Sequence, residues 1–178
     1  SSFEGAEFCL ISTEIPWETV LFTIDLCVQN RVKIILKPTV SEPIPPDVLG
    51  KITFLVPNEK ELEVQAAGRL SVEEKADRLF RRGAQNVIVT LGNKGCYLHS
   101  AELRRFFPAA DFTAVDATGA GDAFISALAV YLSEGHSIVP SIKFATYAAG
   151  LSVTRDGVQP ALAERIALDI YAEQIDES

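Results

Sequence analysis

Asp116-Ala117-Thr118-Gly119-Ala120-Gly121-Asp122 is the stretch of this chain whose residue types and spacing most plainly suit chemistry. A Gly-Ala-Gly run leaves the backbone bare, so the amides of Gly119, Ala120 and Gly121 can approach a ligand closely. The run feeds straight into a predicted alanine-rich helix, Ala120–Ser133, whose first turn adds unpaired N–H groups and the positive end of the helix dipole. Together these make an anion hole, suited to charge developing on a phosphoryl group in transfer. Asp122 falls in the same first turn, where a carboxylate can accept a proton from an attacking hydroxyl. The plainer alternative is a tight turn whose aspartate merely complements the dipole.

Two further segments stand at strand ends. Asn58-Glu59-Lys60-Glu61 follows an apolar run and Pro57, and reads as a helix start with Asn58 at the N-cap. Thr90-Leu91-Gly92-Asn93-Lys94-Gly95 closes another apolar run and reads, alone, as a turn between strands. The chain holds no GxxxxGK[ST] and no HRD or DFG segment, which excludes P-loop enzymes and protein kinases.

The elements that must position these residues follow from the hydrophobic pattern. Phe8–Ser12, Val32–Leu36, Ile52–Val56 and Asn86–Leu91 are short apolar runs without period-two alternation, as in a parallel sheet buried on both faces. Helical spacing follows Pro16 through Asn30, a glutamate-rich helix follows Asn58, and Ser71 with Glu74 forms a capping-box signature for a helix stopping near Gly83. Cys96–His99 and Glu102–Phe107 read as an antiparallel pair, Ser137–Thr154 as a second long helix, and an amphipathic helix follows Pro160. This alternation predicts one α/β unit over residues 1–178, without repeats or low-complexity linkers.

Composition narrows the function classes. With 178 residues, 48% hydrophobic and 22% charged, the chain is an ordinary globular one. A net charge of −8 argues against a nucleic-acid surface, so any polyphosphate must be held by backbone amides and a divalent metal. The three cysteines, Cys9, Cys27 and Cys96, form no CxxC pair and are expected to be buried free thiols in a reducing cytoplasm. No apolar run is long enough to span a bilayer. Methionine is absent throughout and Ser1–Gly5 leads at once into an apolar stretch, so we expect a portion of a longer polypeptide.

The segment from Asp116 through Ala129 is similar to the second signature of ribokinase-like (PfkB) carbohydrate kinases, a DTxGAGD loop followed by a helix of small residues. Asn58–Glu61 resembles that family's NxxE motif, and Thr90–Gly95 its TLGxxG loop. Glu14, before Ile15-Pro16, resembles the sugar-facing glutamate, and Ser152–Gly157 the loop around a monovalent cation. Ala117, Thr146 and Ala161 stand where relatives usually carry other residues. Four motifs in the right order cover essentially the whole chain.

The resemblance implies a three-layer α/β/α fold with a mostly parallel sheet, this chain being its C-terminal, ATP-handling portion. It implies transfer of the γ-phosphoryl group of ATP to a sugar hydroxyl, with Asp122 as base and the Gly119, Ala120 and Gly121 amides on the transferring group. ATP would lie along Asn58, Thr90, Leu91, Gly92, Asn93, Lys94, Gly95, Gly121 and Thr146. Glu61, expected on an exposed helix turn, would hold magnesium through water, and Glu14 would face the sugar. Potassium would sit among Asp116, Thr118, Ser152, Arg155 and Gly157. A ribose-like sugar is the expected substrate; fructose, a ketodeoxy sugar acid or a nucleoside such as pseudouridine stay open. So do a related vitamin kinase of the same fold and a nucleotide-binding remnant without turnover. The family's lid sheet leaves room for a homodimer. No nucleic acid or membrane is expected as a partner, and this portion alone is expected to be inactive.

Overall fold

The computed structural model describes residues 3–39, 41–113, 115–154 and 168–172. The chain divides into two compact units, one comprising residues 1–92 and 96–106, the other residues 93–95 and 107–178.

The first unit is built on a sheet with strand order β1 to β6, the same as chain order. Its strands are β1 (Phe8–Ser12), β2 (Lys33–Lys37), β3 (Phe54–Leu55), β4 (Val87–Thr90), β5 (Cys96–His99) and β6 (Arg104–Phe107, whose last residue falls in the second unit). The first four run parallel and β5 returns antiparallel to β4, with Val89 opposite Tyr97. Helices fill the crossovers: α1 (Trp17–Asn30), α2 (Pro46–Leu49), α3 (Glu59–Gln65) and α4 (Val72–Arg81). A strand, a crossover and the next parallel strand wind right-handed, so sequential order places successive helices on one face.

That face holds the core. Val20, Ile24 and Cys27 of α1, Leu49, Leu62 and Leu79 pack with Ile34 and Leu36 of β2, Leu55, Val87 and Val89. Ile35, Phe54 and Ile88 point the other way along the pleat and are buried as well. Two buried faces are the physical reason these strands read as continuous apolar runs rather than alternating ones. β1 is the exception, with Leu10 about half exposed at 45%. The expected Ile52–Val56 strand is shorter than its apolar run, pairing only over Phe54–Leu55.

The capping box expected at Ser71 is present: its Oγ accepts the Glu74 N–H at 3.2 Å, and Glu74 Oε2 accepts the Ser71 N–H at 2.8 Å. All three cysteines are free; Cys27 and Cys96 are buried and Cys9 is half-buried. Contact with Cys9 and, above all, burial push the Cys27 thiol up to about 12.

The second unit carries the helix pair α5 (Ala120–Ser133) and α6 (Ile138–Ser152), packed against each other. Tyr131 and Phe144 stack across the pair with ring centroids 4.3 Å apart. The small side chains Ala123, Ala127, Ala145 and Ala148 are buried, which is why this stretch could be so rich in alanine. A one-turn helical segment at 168–172 brings Tyr171 onto Tyr147, centroids 4.8 Å apart. Of the expected amphipathic helix after Pro160, the rest lies outside the described residues. Among the described residues no helix is long and apolar enough to cross a membrane.

Candidate active site

Parallel α/β sheets present their ligand sites at the carboxyl ends of the strands. In the first unit, Glu14 lies two residues past the end of β1 and is exposed. Its N–H donates to Ser12 Oγ at 3.3 Å, and the loop is pinned to the end of β2 where Thr13 N–H meets the Lys37 carbonyl at 3.1 Å. Thr13 Oγ1 also accepts the Thr39 N–H at 2.8 Å. A solvated carboxylate on a fixed loop at a strand's end suits hydroxyl recognition.

Asn58 and Thr90 are 32 residues apart and the fold sets them side by side. They form an isolated parallel bridge, with the Thr90 N–H on the Pro57 carbonyl at 2.9 Å. Asn58 caps α3 as expected: Oδ1 accepts the Glu61 N–H at 2.9 Å. Glu61, however, is not on an exposed turn. It is only 7% exposed, and its Oε2 accepts the Asn58 N–H at 2.8 Å, completing a capping box. One carboxylate oxygen is thus committed to the helix start, which corrects the expectation of exposure: the reciprocal cap draws the side chain back over the first turn. The Leu91 side chain belongs to the hydrophobic core.

Gly92–Lys94 makes a 3₁₀ turn with exposed Gly92, Asn93 and Lys94, Gly92 at φ 58°. In the second unit, Gly95 has φ 96°, and a Cβ there would overlap the Phe107 carbonyl oxygen and lie 2.6 Å from Ala109 N. Glycine is therefore demanded twice at this turn, by the dihedral and by the approaching backbone.

Also in the second unit, Asp116 Oδ1 accepts the Thr118 N–H at 2.9 Å, an Asx turn leading into α5. Gly119 caps α5 in the left-handed region, φ 82°. Its carbonyl accepts the Asp122 and Ala123 N–H groups at 3.0 and 2.9 Å, and the Ala120 N–H reaches the Ala117 carbonyl at 3.3 Å. Among the described residues nothing accepts the N–H of Gly121. Among the described residues, and apart from its own stretch of helix, nothing lies within 4 Å of where a Gly121 Cβ would be. Asp122 is exposed one residue further on. The turn thus presents bare backbone, an amide donor, a helix N-terminus and a carboxylate on one short arc, as the spacing predicts.

Thr146 sits half-buried on α6, its hydroxyl donating to the Ile142 carbonyl at 2.8 Å. The buried Ser152 hydroxyl likewise donates to Ala149 O at 2.8 Å. The carbonyl of Val153, the next residue, accepts N–H groups from Val115 at 2.7 Å and Asp116 at 3.1 Å, so the two parts of the expected cation loop do meet. Nothing in the residue pattern announced that contact, because it is made by backbone alone. Arg155, Gly157 and Ala161 lie outside the described residues.

Among the described residues no three His, Cys, Asp or Glu side chains gather as a metal cage. The oxygen donors at hand, carboxylates and backbone carbonyls, are of the kind a hard cation such as magnesium takes when phosphate and water supply the rest of its shell.

Residues 1–165 match the sequence profile of the pfkB family carbohydrate kinases. The chain belongs to the pfkB family. Ribokinase of Lactococcus lactis is 32% identical over 162 residues, an alignment covering 89% of this chain and 52% of that protein. The crystal structure of Thermotoga maritima ribokinase superposes with a TM-score of 0.88 at 34% identity, covering 97% of this chain and 58% of that one. Arabidopsis thaliana ribokinase, solved with ribose and ATP, gives a TM-score of 0.87 at 29% identity, over 94% and 56%. This pfkB chain therefore has the ribokinase fold, and it spans about half the length of the curated relatives it matches.

Proposed function

We propose that this chain is the ATP-handling, catalytic portion of a kinase that transfers the γ-phosphoryl group of ATP to a hydroxyl of a ribose-like sugar. One observation carries the reading: the N-terminal turn of α5 contains a glycine, Gly121, that none of the described residues around it requires. Glycine in a helix costs about 1 kcal/mol relative to alanine. With open space around the missing Cβ, that cost is explained by something outside the chain that must come close. A phosphoryl group fits, since the helix N-terminus and the amides favour anions.

In this reading the Gly119 and Gly121 amides face the transferring phosphoryl group, the Ala120 N–H being turned to the Ala117 carbonyl, and Asp122 accepts the proton of the attacking hydroxyl. Magnesium, when bound with the nucleotide, neutralises phosphate charge. Asn58 and the Thr90–Gly95 backbone lie along the nucleotide, Thr146 near its base, and Glu14 faces the sugar. Glu61 reaches the metal shell only through water. Asp116, Thr118 and the carbonyls after Ser152 suit a monovalent cation, with Arg155 and Gly157 in the same loop. Two features favour ribose among sugars: the Glu14-Ile15-Pro16 context and likeness to a ribokinase solved with ribose and ATP. The free thiols fit a reducing cytoplasm.

Asp122→Asn in the full-length protein is the test. Sugar-dependent ADP release should fall by about 100-fold or more, while ATP affinity and the melting temperature stay near wild type. Turnover within tenfold of wild type removes Asp122 from the base role. A wild-type protein that binds ATP and turns over no sugar is a nucleotide-binding remnant instead.

A further inference from the structure

Gly150 lies in the last turn of α6 and, like Gly121, has no left-handed dihedral to explain it. Its explanation is different. A Cβ on Gly150 would stand 2.9 Å from Phe112 Cε2, closer still to Phe112 Cδ2, and 3.1 Å from Ala110 Cβ. The Phe112 ring rests directly on the helix backbone through the gap that glycine leaves. Nor can the ring swing aside freely: Tyr147 and Tyr171 meet it edge-on, at centroid distances of 6.3 and 6.1 Å and interplanar angles of 83° and 79°.

The segment carrying Phe112 runs directly to the anion-hole turn. Three residues after the ring, the Val115 and Asp116 N–H groups both land on the carbonyl of Val153, the C-cap of α6. Helix ends leave such carbonyls without intrahelical partners, and here the incoming strand of chain supplies the donors. Asp116 then orders Thr118, and Gly119 opens α5. The Phe112 ring and the Val115–Asp116 backbone are therefore both fastened to α6, a steric contact at Gly150 and hydrogen bonds at Val153.

We propose that Gly150 is a positioning residue. By admitting the Phe112 ring to the backbone of α6, it sets the height of the segment that delivers Asp116 and the Gly119–Asp122 turn. Its link to catalysis rests on the function proposed above; its effect on the segment does not. A displacement of an ångström at a reacting group costs up to about 100-fold in rate, so the packing of one ring against one glycine reaches the chemistry.

The test compares G150A, F112V and the double variant F112V/G150A in the full-length protein. Hydrogen exchange at the Val115 and Asp116 amides is followed against Leu128 in the middle of α5, together with kcat for sugar-dependent ADP release. G150A should speed exchange at Val115 and Asp116 while Leu128 keeps its protection, and should lower kcat about tenfold. In the double variant the shorter valine clears the new methyl group, so slow exchange and most of the rate should return. Unchanged exchange at Val115 and Asp116 in G150A overturns the proposal. So does a double variant no better than G150A, because the glycine would then serve something other than the ring. If G150A does not fold, restored folding with native exchange in the double variant still supports the pairing, and failure of both overturns it. A wild-type protein without turnover counts against the proposed function alone, and the exchange measurements then decide the positioning.

Discussion

The turn at Gly95 and the turn at Gly121 look alike in sequence and differ in what they owe the fold. At Gly95 a positive φ and the backbone of Phe107–Ala109 leave room for nothing but hydrogen. At Gly121 the described residues leave room for a side chain that the sequence does not supply. Within the first unit, Asn58 and Glu61 form a reciprocal capping box, each side chain accepting the other's backbone N–H. A motif residue can thus be structural by geometry even where it is functional by family.

The largest effect that would break this comparison is expected at Gly95. Gly95→Ala should destabilise the protein by roughly 3 kcal/mol, combining a left-handed alanine with a clash against backbone that cannot move aside. Urea unfolding reads it, and a midpoint equal to wild type would mean the Gly95 turn is no more constrained than the Gly121 turn.

Gly121→Ala should do the reverse. Stability should hold or rise by about 0.5 kcal/mol, since alanine favours a helix. ATP affinity, measured by calorimetric titration, should drop about tenfold, or about 1.4 kcal/mol. An alanine variant that binds ATP as wild type does would show that the open side of Gly121 faces no ligand.

Glu61→Ala removes the reciprocal cap and should cost about 1 kcal/mol of stability. Glu61→Gln keeps a carbonyl oxygen for the Asn58 N–H and should lose less. Thermal midpoints of the two variants separate the cap from any metal role, which would appear only as a changed magnesium requirement.

His99 sharpens the contrast from within the first unit, because it is a buried polar side chain that the fold leaves without a hydrogen bond at either ring nitrogen. Phe80 lies 5.0 Å from it ring to ring, Asp77 of α4 approaches Nε2 at 3.7 Å, and Asp77 is itself shared with Arg81 and Arg104. Burial, then the Arg104 and Arg81 charges, hold its pKa below the usual histidine value, against the pull of Asp77. With the folded-state pKa depressed, the unfolded chain takes up the proton first as pH falls. Stability should be complete above the ordinary histidine pKa of about 6.5 and decline below it until the folded-state pKa is reached. Melting temperatures from pH 7.5 to pH 5 should show that decline and His99→Leu should flatten it; an equal slope in both would place the titration elsewhere.

Local signals carried much of this molecule. The Ser71–Glu74 box, the Asn58 cap, the four apolar strands and the Ala120–Ser133 helix were all legible because each depends on residues within a turn or two of one another. The Asp116–Asp122 arc was legible for the same reason: an Asx turn, a left-handed glycine and a helix start are short-range events. The fold class followed from the order of these elements.

Tertiary structure decided whatever depends on residues distant in the chain. Only the fold sets Asn58 against Thr90 and draws Leu91 into the core. Only the return of Phe107–Ala109 past Gly95 makes that glycine obligatory, and only the seating of Phe112 on α6 does the same for Gly150. Even Glu61, correctly placed on its helix, turned out buried, because exposure is a property of what packs around a residue and not of its position in a repeat. Hydrogen bonds between backbone atoms, such as those joining Val115 and Asp116 to Val153, leave no mark on residue type at all. Sequence therefore specified the parts and the chemistry each could offer, while close packing between distant segments determined which of them the fold itself consumes and which remain open to a ligand.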